Sequence, residues 1–457
     1  MKVNSLFSNL LSKKTILALL KSISCVGILF TASAFASTNT DWPDDIWGDD
    51  NASDDSWGDD PWAEKAKTNW SNLATFVEVA LGKRLSDDPA LKTSSTLNDI
   101  RIQAQGDYKL NASTIKLRGQ VFYDGVQSKW RGQIRELNWQ GKVSDRWDIK
   151  AGQQILTWGT GDYLFLNDMF AKDWQSFFAG RDDEYLKAPQ LAVKASGYYD
   201  FANVDLVITP KFVSDQYING DVFSFYNPIA GQLNGGINIA PGFDVSDKNT
   251  PNSAEYALRL KKQYDAIEFA LYGYKGFDKS PNSLTSDFQP TFTKLNVIGA
   301  SMMTPMFSGL FNLEVAQHNS ADSKGRNPLI PNRESKLLIG YQQELVTNLT
   351  GSIQFQLERQ NEFDPALSYS PTDKQSRTLW TAQLYYRLMQ DTLNLQWFTF
   401  YSPSESDGYS RVKVSYQPIE NWQLTGGINY FWGRQKTTFF GQFEDASNAY
   451  LTIRKYF

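Results

Sequence analysis

The chain has 457 residues, with 45 Lys plus Arg against 50 Asp plus Glu, one His and one Cys. That length would suit two or three soluble domains, yet no linker divides it. No stretch beyond the first 36 residues approaches the roughly 18 unbroken apolar residues of a membrane helix. One cysteine excludes a disulfide framework and Cys-based metal sets, and the net charge of −5 comes from one segment, so it implies no partner of either sign.

Residues 1–36 read as a secretory signal peptide. Lys2, Lys13 and Lys14 precede the apolar run TILALLKSISCVGILFTASAFA, which ends in Ala34-Phe35-Ala36. An uncleaved anchor is the rival, although Lys21 interrupts it. Cys25 lacks the leading Leu of a lipid-attachment site. Removing the segment takes four lysines and no acid, leaving 41 basic and 50 acidic residues.

Residues 37–71 form an acidic, Trp/Asp-rich tail, expected to be disordered in the periplasm. It repeats Trp-Gly-Asp-Asp at 47–50 and 57–60 and holds nine acids within 41–60. There is no basic residue there and no usable period. Paired aspartates invite a calcium reading, but the spacing departs from the EF-hand pattern. Trp42, Trp47, Trp57 and Trp62 could dock on a periplasmic partner or plug a pore; a solvated leader is the plainer reading.

From about residue 72 the period becomes two. In IRIQAQGDYKL, Ile100, Ile102, Ala104 and Tyr108 share one face, and Arg101, Gln103, Gln105 and Asp107 the other. STIKLRGQVFYD, LTGSIQFQLER, SRVKVSYQ and NWQLTGGINYFW repeat the alternation. Ten alternating residues are long for a soluble strand and fit a tilted membrane-crossing one. Turn signals occur at 110–113, 143–146, 200–203, 304–306, 346–348, 389–391 and 418–421. Longer polar connections fall at 83–95, 156–189, 215–252, 276–291, 319–333, 360–375 and 433–446. Short and long connections in alternation are the asymmetry of a membrane barrel, with tight periplasmic turns and long external loops. The expected fold is therefore all-β: a transmembrane antiparallel β-barrel of about eighteen strands over 72–457, or sixteen if one strand has been divided in two. A wall of that size encloses a lumen.

The last residues, AYLTIRKYF, put Leu451, Ile453 and Phe457 on one face. They resemble the terminal signal by which Gram-negative barrels reach the insertion machinery, with Lys455 departing from it by occupying an apolar position. The stretch GRDDEYLKAP, residues 180–189, lies in the third external connection. There the chain resembles the general porins, whose third loop folds inward and narrows the barrel. DIKAGQQILTWGTGD, from Asp148, resembles a Gly-Arg-Gln…Trp-Gly stretch of porin-like and alginate-export-like outer-membrane barrels, with Gln153 where the arginine is usual. The resemblance implies an outer-membrane channel, contact with outer-membrane lipid, and allows a homo-oligomer.

The loop is acidic: Asp162, Asp168, Asp173, Asp182, Asp183 and Glu184 against Lys172, Arg181 and Lys187. The polar strand faces lean basic, with Arg101, Lys116, Arg118, Arg131, Arg135, Lys150 and Lys194 on the second to sixth strands. Two readings stand side by side. The opposed charges set a transverse field across a constriction, or they pair and hold the loop in place.

Catalysis is the weaker expectation. Three carboxylates in a row cannot all aim at one reacting atom. His318, with Asn319, Ser320 and Asp322 nearby, reads as a polar rim residue, because neighbours on a strand end point different ways. No Walker loop, HExxH or basic array for nucleic acid occurs, and no cofactor or metal is expected. Two functions remain: passive diffusion of small hydrophilic solutes, or a dedicated export or lipid-trafficking barrel working with a periplasmic partner or efflux pump.

Overall fold

The computed structural model describes residues 69–227, 230–236, 245, 247–367 and 374–457. The signal segment and the tail as far as residue 68 lie outside the described residues.

Eighteen strands form the wall. They are β1 (Trp70–Arg84), β2 (Ser95–Leu110), β3 (Ser113–Asp124), β4 (Lys129–Ser144), β5 (Trp147–Ile155) and β6 (Pro189–Tyr198). Next come β7 (Asn203–Thr209), β8 (Glu255–Tyr264), β9 (Ile267–Phe277), β10 (Lys294–Met306), β11 (Gly309–Ser320) and β12 (Glu334–Val346). The last six are β13 (Leu349–Gln360), β14 (Ser376–Leu388), β15 (Leu393–Ser402), β16 (Asp407–Ile419), β17 (Trp422–Gly433) and β18 (Asn448–Tyr456). Each pairs antiparallel with the next in sequence, and β1 pairs with β18 from Phe76↔Tyr456 to Arg84↔Asn448. Closure leaves no edge strand, so the backbone groups of an eighteen-stranded sheet find partners without help from solvent.

The two faces separate as the alternation requires. Ile100, Ile102, Val121 and Ile298 are exposed on the outside, while Arg101 and Gln103, which alternate with Ile100 and Ile102 along β2, and Asn429 on β17 are almost fully buried. Aromatic pairs sit near the strand ends, among them Trp70 with Tyr108 at 5.1 Å and Tyr123 with Trp130 at 5.4 Å. Such amphipathic rings suit a membrane–water boundary. At the C-terminus the Lys455 ammonium lies 5.2 Å from the Trp422 ring and 5.1 Å from that of Phe457. The charge on the apolar face is thereby held by aromatic quadrupoles.

Three details differ from the sequence expectation. The turn placed at Thr304-Pro305-Met306 falls at Phe307, whose φ is 52°, because β10 runs on through Met306. A further tight turn at Asp265-Ala266 had no Gly or Pro to mark it. Two connections at the long-loop end, 125–128 and 403–406, are as short as the tight turns at the other end. Their Gly125 and Pro403-Ser404 signals are bounded by continuous alternation, which reads as one long strand.

The wall is uneven. β5, β6 and β7 are short, and β6 meets β7 over six register pairs only, from Val193↔Ile208 to Tyr198↔Asn203. On the far side, β10 and β11 pair over twelve, from Leu295↔Ser320 to Met306↔Gly309. Of the connections leaving the short strands, residues 156–188 and the buried Val222, Phe223 and Phe225 enter the lumen.

Candidate functional site

The β5–β6 connection, residues 156–188, is the third external connection and is referred to as loop 3. It turns into the barrel and meets inward side chains on both sides of it. The first half, 156–170, runs to β11 and β13. There the Glu314 carboxylate accepts the Gly161 N–H at 3.1 Å, the Asn167 amide at 2.9 Å and the Thr160 N–H. Asp162 accepts Ser352 Oγ–H at 2.8 Å and the Gln354 amide at 3.2 Å. Burial pushes the Asp162 carboxyl up to about 6 against the Ser352 hydroxyl.

His318 is not at the rim. It is buried, with Nε2 2.8 Å from the Leu166 carbonyl, which only accepts, so Nε2 carries the proton. The residue points inward because its position on β11 has the same parity as Glu314. It anchors loop 3 rather than forming an exposed dyad with Ser320 or Asp322.

The middle of loop 3 holds helix α1 (Trp174–Ala179). Asp173 caps it by accepting the Ser176 N–H at 2.8 Å, and Gly180 ends it with φ of 86°. A Cβ at Gly180 would lie 2.2 Å from the Tyr450 ring, so both backbone and space demand glycine. Phe177 and Phe178 project from α1 into wall aromatics. Phe178 lies 5.0 Å from Phe431 and 5.7 Å from Tyr409, and Phe443 of the last external connection closes over it at 5.2 Å. Asn429 and Asn448 donate to the Phe178 carbonyl, each at 3.1 Å. This apolar cluster fills the lumen beside β15–β18.

The second half, 181–187, is pinned by charge. Asp183 meets Arg411 and Lys413, both at 2.6 Å. Asp182 lies 3.4 Å from Arg454, Glu184 3.3 Å from Arg118, and Arg181 2.7 Å from Asp99. Burial opposes the Asp183 charge, yet Arg411 and Lys413 together hold its carboxyl at about 2. The Tyr185 ring is sandwiched between Arg101 at 4.3 Å and Arg135 at 4.6 Å. Arg135 also donates to the carbonyls of Glu184 at 2.8 Å and Lys187 at 3.3 Å.

Of the remaining loop residues singled out in the sequence, Asp168 pairs within the loop with Lys172 at 3.0 Å and accepts the Thr157 hydroxyl at 2.8 Å. Among the wall cations, Arg101, Arg118 and Arg135 reach loop 3. Arg131 instead pairs with Asp124 at 3.4 Å near the external end, and Lys116 lies opposite Asp107. Lys150 shares Glu136 with Arg118, at 3.9 and 3.5 Å. Lys194 and Arg259 share Asp205, at 3.9 and 2.7 Å, and Lys261 meets Glu268 at 2.8 Å. The wall from β3 to β9 thus carries five cations around three acids. Across the lumen, β13, β15 and β17 present Ser352, Gln354, Gln396, Gln423 and Thr425 instead.

The partners that sequence reasoning missed are Arg411, Lys413 and Arg454, and the inward aromatics Phe398, Phe400, Tyr409 and Phe431. A signal existed for the aromatics. WFTFY at 397–401 and YFW at 430–432 are apolar on both faces, which a wall around water alone would not need. Among the described residues no group of three or more His, Cys, Asp or Glu is placed to hold a metal.

No protein-family model matches the chain, and no curated protein matches its sequence. Solved structures do match its fold. OccAB4 of Acinetobacter baumannii superposes with a TM-score of 0.51 at 12% identity, covering 85% of this chain and 97% of that one. OccAB3 of the same organism gives 0.51 at 8%, covering 84% and 98%. OpdQ of Pseudomonas aeruginosa gives 0.51 at 9%, covering 84% and 96%. With its closed wall of eighteen antiparallel strands and its apolar exterior, the chain has the fold of the porin-like outer-membrane β-barrels it superposes on.

Proposed function

We propose that the chain is an outer-membrane channel for passive diffusion of small hydrophilic solutes, narrowed by loop 3. The observation that carries this reading is the paired-charge face of β3–β9, Arg118-Glu136-Lys150 and Lys194-Asp205-Arg259, lying beside a loop that crosses the lumen. A face of that composition is stable only against water or a polar solute. With Asp205 shared by Lys194 and Arg259, it favours anions modestly. Asp182 and Asp183 of loop 3 do little to offset this, because they meet Arg454, Arg411 and Lys413, while Glu184 and Glu136 are balanced by Arg118 and Lys150. The constriction then comprises Asp162, Asp168, Arg181, Asp182, Asp183, Glu184 and Lys187, chiefly as the groups that hold the loop.

The test is reconstitution in planar bilayers. Discrete conductance steps with a reversal potential on the anion side are expected. A barrel that stays silent at all voltages while correctly inserted would favour the second reading, a dedicated export or hydrophobe-trafficking barrel. That alternative has one observation of its own: the aromatic cluster around Phe177 and Phe178 closes the β15–β18 side to water. The Trp/Asp tail would then be the handle for a periplasmic partner.

A further inference from the structure

We infer that the β5–β6 hairpin is a movable panel of the wall, and that its seam with β7 is a lateral portal between the lumen and the outer leaflet for a single-chain amphiphile. This goes beyond the diffusion reading and does not depend on it.

The panel is weakly joined on both sides. β5 and β6 pair with each other over nine positions, Trp147↔Gly197 to Ile155↔Pro189. Their outer seams carry only seven register pairs with β4 and six with β7. Six residues of strand tilted at about 40° rise roughly 16 Å, short of the apolar band of about 25 Å. Above Val193↔Ile208 the ladder stops. Pro189–Ala192 of β6 keep β5 on one side and have no strand on the other. The chain after Thr209 bends away at Pro210, which has no N–H, and the Phe212 N–H turns to the Ser253 carbonyl at 3.1 Å.

Loop 3 itself stops the gap. Its residues 171–173 lie between the lead-in of β6 and the lead-out of β7. On one side the Ala188 N–H donates to Ala171 at 3.0 Å and the Asp173 N–H to Leu186 at 2.7 Å. On the other, the Gln216 N–H donates to Lys172 at 2.8 Å, and the Lys172 N–H to the Asp215 carboxylate at 2.7 Å. Because loop 3 connects β5 to β6, withdrawing this stopper and moving the panel are one motion.

The chemistry of the gap selects its occupant. Leu191 and Ile208 flank it outside, both substantially exposed, while Phe170, Ala171, Ala192 and Val207 line it within, all at least nine-tenths buried. Gln190, only 1% exposed, has neither amide atom hydrogen-bonded. An apolar slot with an unpartnered amide behind it suits an alkyl chain carrying a polar head. Withdrawing one extended segment vacates about one strand's width, about 5 Å, which admits a single extended chain and not a sugar ring.

The test uses two exposed positions across the seam, Leu191→Cys and Lys211→Cys, in a Cys25→Ser background that contains no other cysteine. In a host deleted for its own long-chain fatty-acid uptake, a short bis-maleimide is expected to reduce uptake of radiolabelled dodecanoate to that of cells lacking the protein. Bilayer conductance of the same cross-linked barrel should be unchanged. Spin labels at the two sites should show two distances in membranes, the longer one gaining with added dodecanoate. Labels at Ile298→Cys and Val315→Cys, across the long β10–β11 seam, should show one. Dodecanoate uptake that survives cross-linking, or a single unresponsive distance at the β6–β7 seam, overturns the portal. Loss of conductance in the uncross-linked variant would instead count against the channel reading.

Discussion

Between Thr160 and Asn167, loop 3 is held by neutral donors on two carboxylates, Glu314 and Asp162, that no cation pairs with among the described residues. Between Arg181 and Glu184 it is held by ion pairs, with Asp183 shared by Arg411 and Lys413. The two attachments differ in what breaks them. A carboxylate solvated only by N–H and O–H groups tolerates a proton, because the protonated form is also hydrogen-bonded and is no longer penalised by burial. A carboxylate between two cations does not, because losing its charge strands both partners. One loop therefore carries two clasps with opposite responses to acid.

The largest effect should come from Asp183→Asn. It leaves Arg411, buried between Tyr163 and Phe177, without its counter-ion, and breaking a buried pair from one side costs about 3–5 kcal/mol. Loop 3 should loosen in its second half, with larger and noisier conductance steps and an increased anion preference; unchanged records would show that the ion pairs do not hold the loop. Close behind is Phe178→Ala, which empties the aromatic cluster at a cost of about 3–5 kcal/mol. It should open the sealed β15–β18 side to water, read as new labelling by a polar thiol reagent at a cysteine placed at Ala446, which is buried in the same cluster. If that position stays protected, the cluster is not the seal.

Acidification gives an intermediate effect, and its sign follows from the two clasps. Asp162 titrates near 6 when loop 3 is docked and near the usual carboxylate range when it is released, so docking takes up a proton in that window. Lowering the pH from 7 to 5 should stabilise the docked loop and lower conductance. Asp183, held at about 2, contributes stability that is present above the ordinary carboxylate range and is lost only as the pH falls through 2. Asp162→Asn should abolish the step between pH 7 and 5; a step that persists would place its origin elsewhere. The smallest effect is expected for Tyr185→Phe. It removes a 3.3 Å hydrogen bond to Gln103 and keeps the ring between Arg101 and Arg135, so conductance should change little and the local cost should stay under about 1 kcal/mol.

The first clasp could not be read ahead of the structure. Glu314 and His318 stand on β11 with the parity of inward residues, which the alternation shows. That they meet loop 3 rather than water depends on a connection that departs from β5, far away in sequence. For the second clasp, the acids of 182–184 and the basic lean of the wall were both legible, and with them the pairing reading. Which cations would pair was not. Arg411, Lys413 and Arg454 lie on the last strands, and only barrel closure brings β16–β18 round to face the loop beside β2–β4.

The sequence by itself determined the wall. Period-two alternation and tight turns against long connections are local features, and locally they show which side chains face outward and bring the strand count to about eighteen. The interior was decided by tertiary structure. A loop inside a closed barrel meets whichever walls its length and its helix allow, so its partners are set by three-dimensional path and not by spacing along the chain. The same holds for the uneven seams. How many residues of β6 and β7 overlap depends on where Pro210 turns the chain away and where residues 171–173 come to rest, and neither is written in the alternation of the strands themselves.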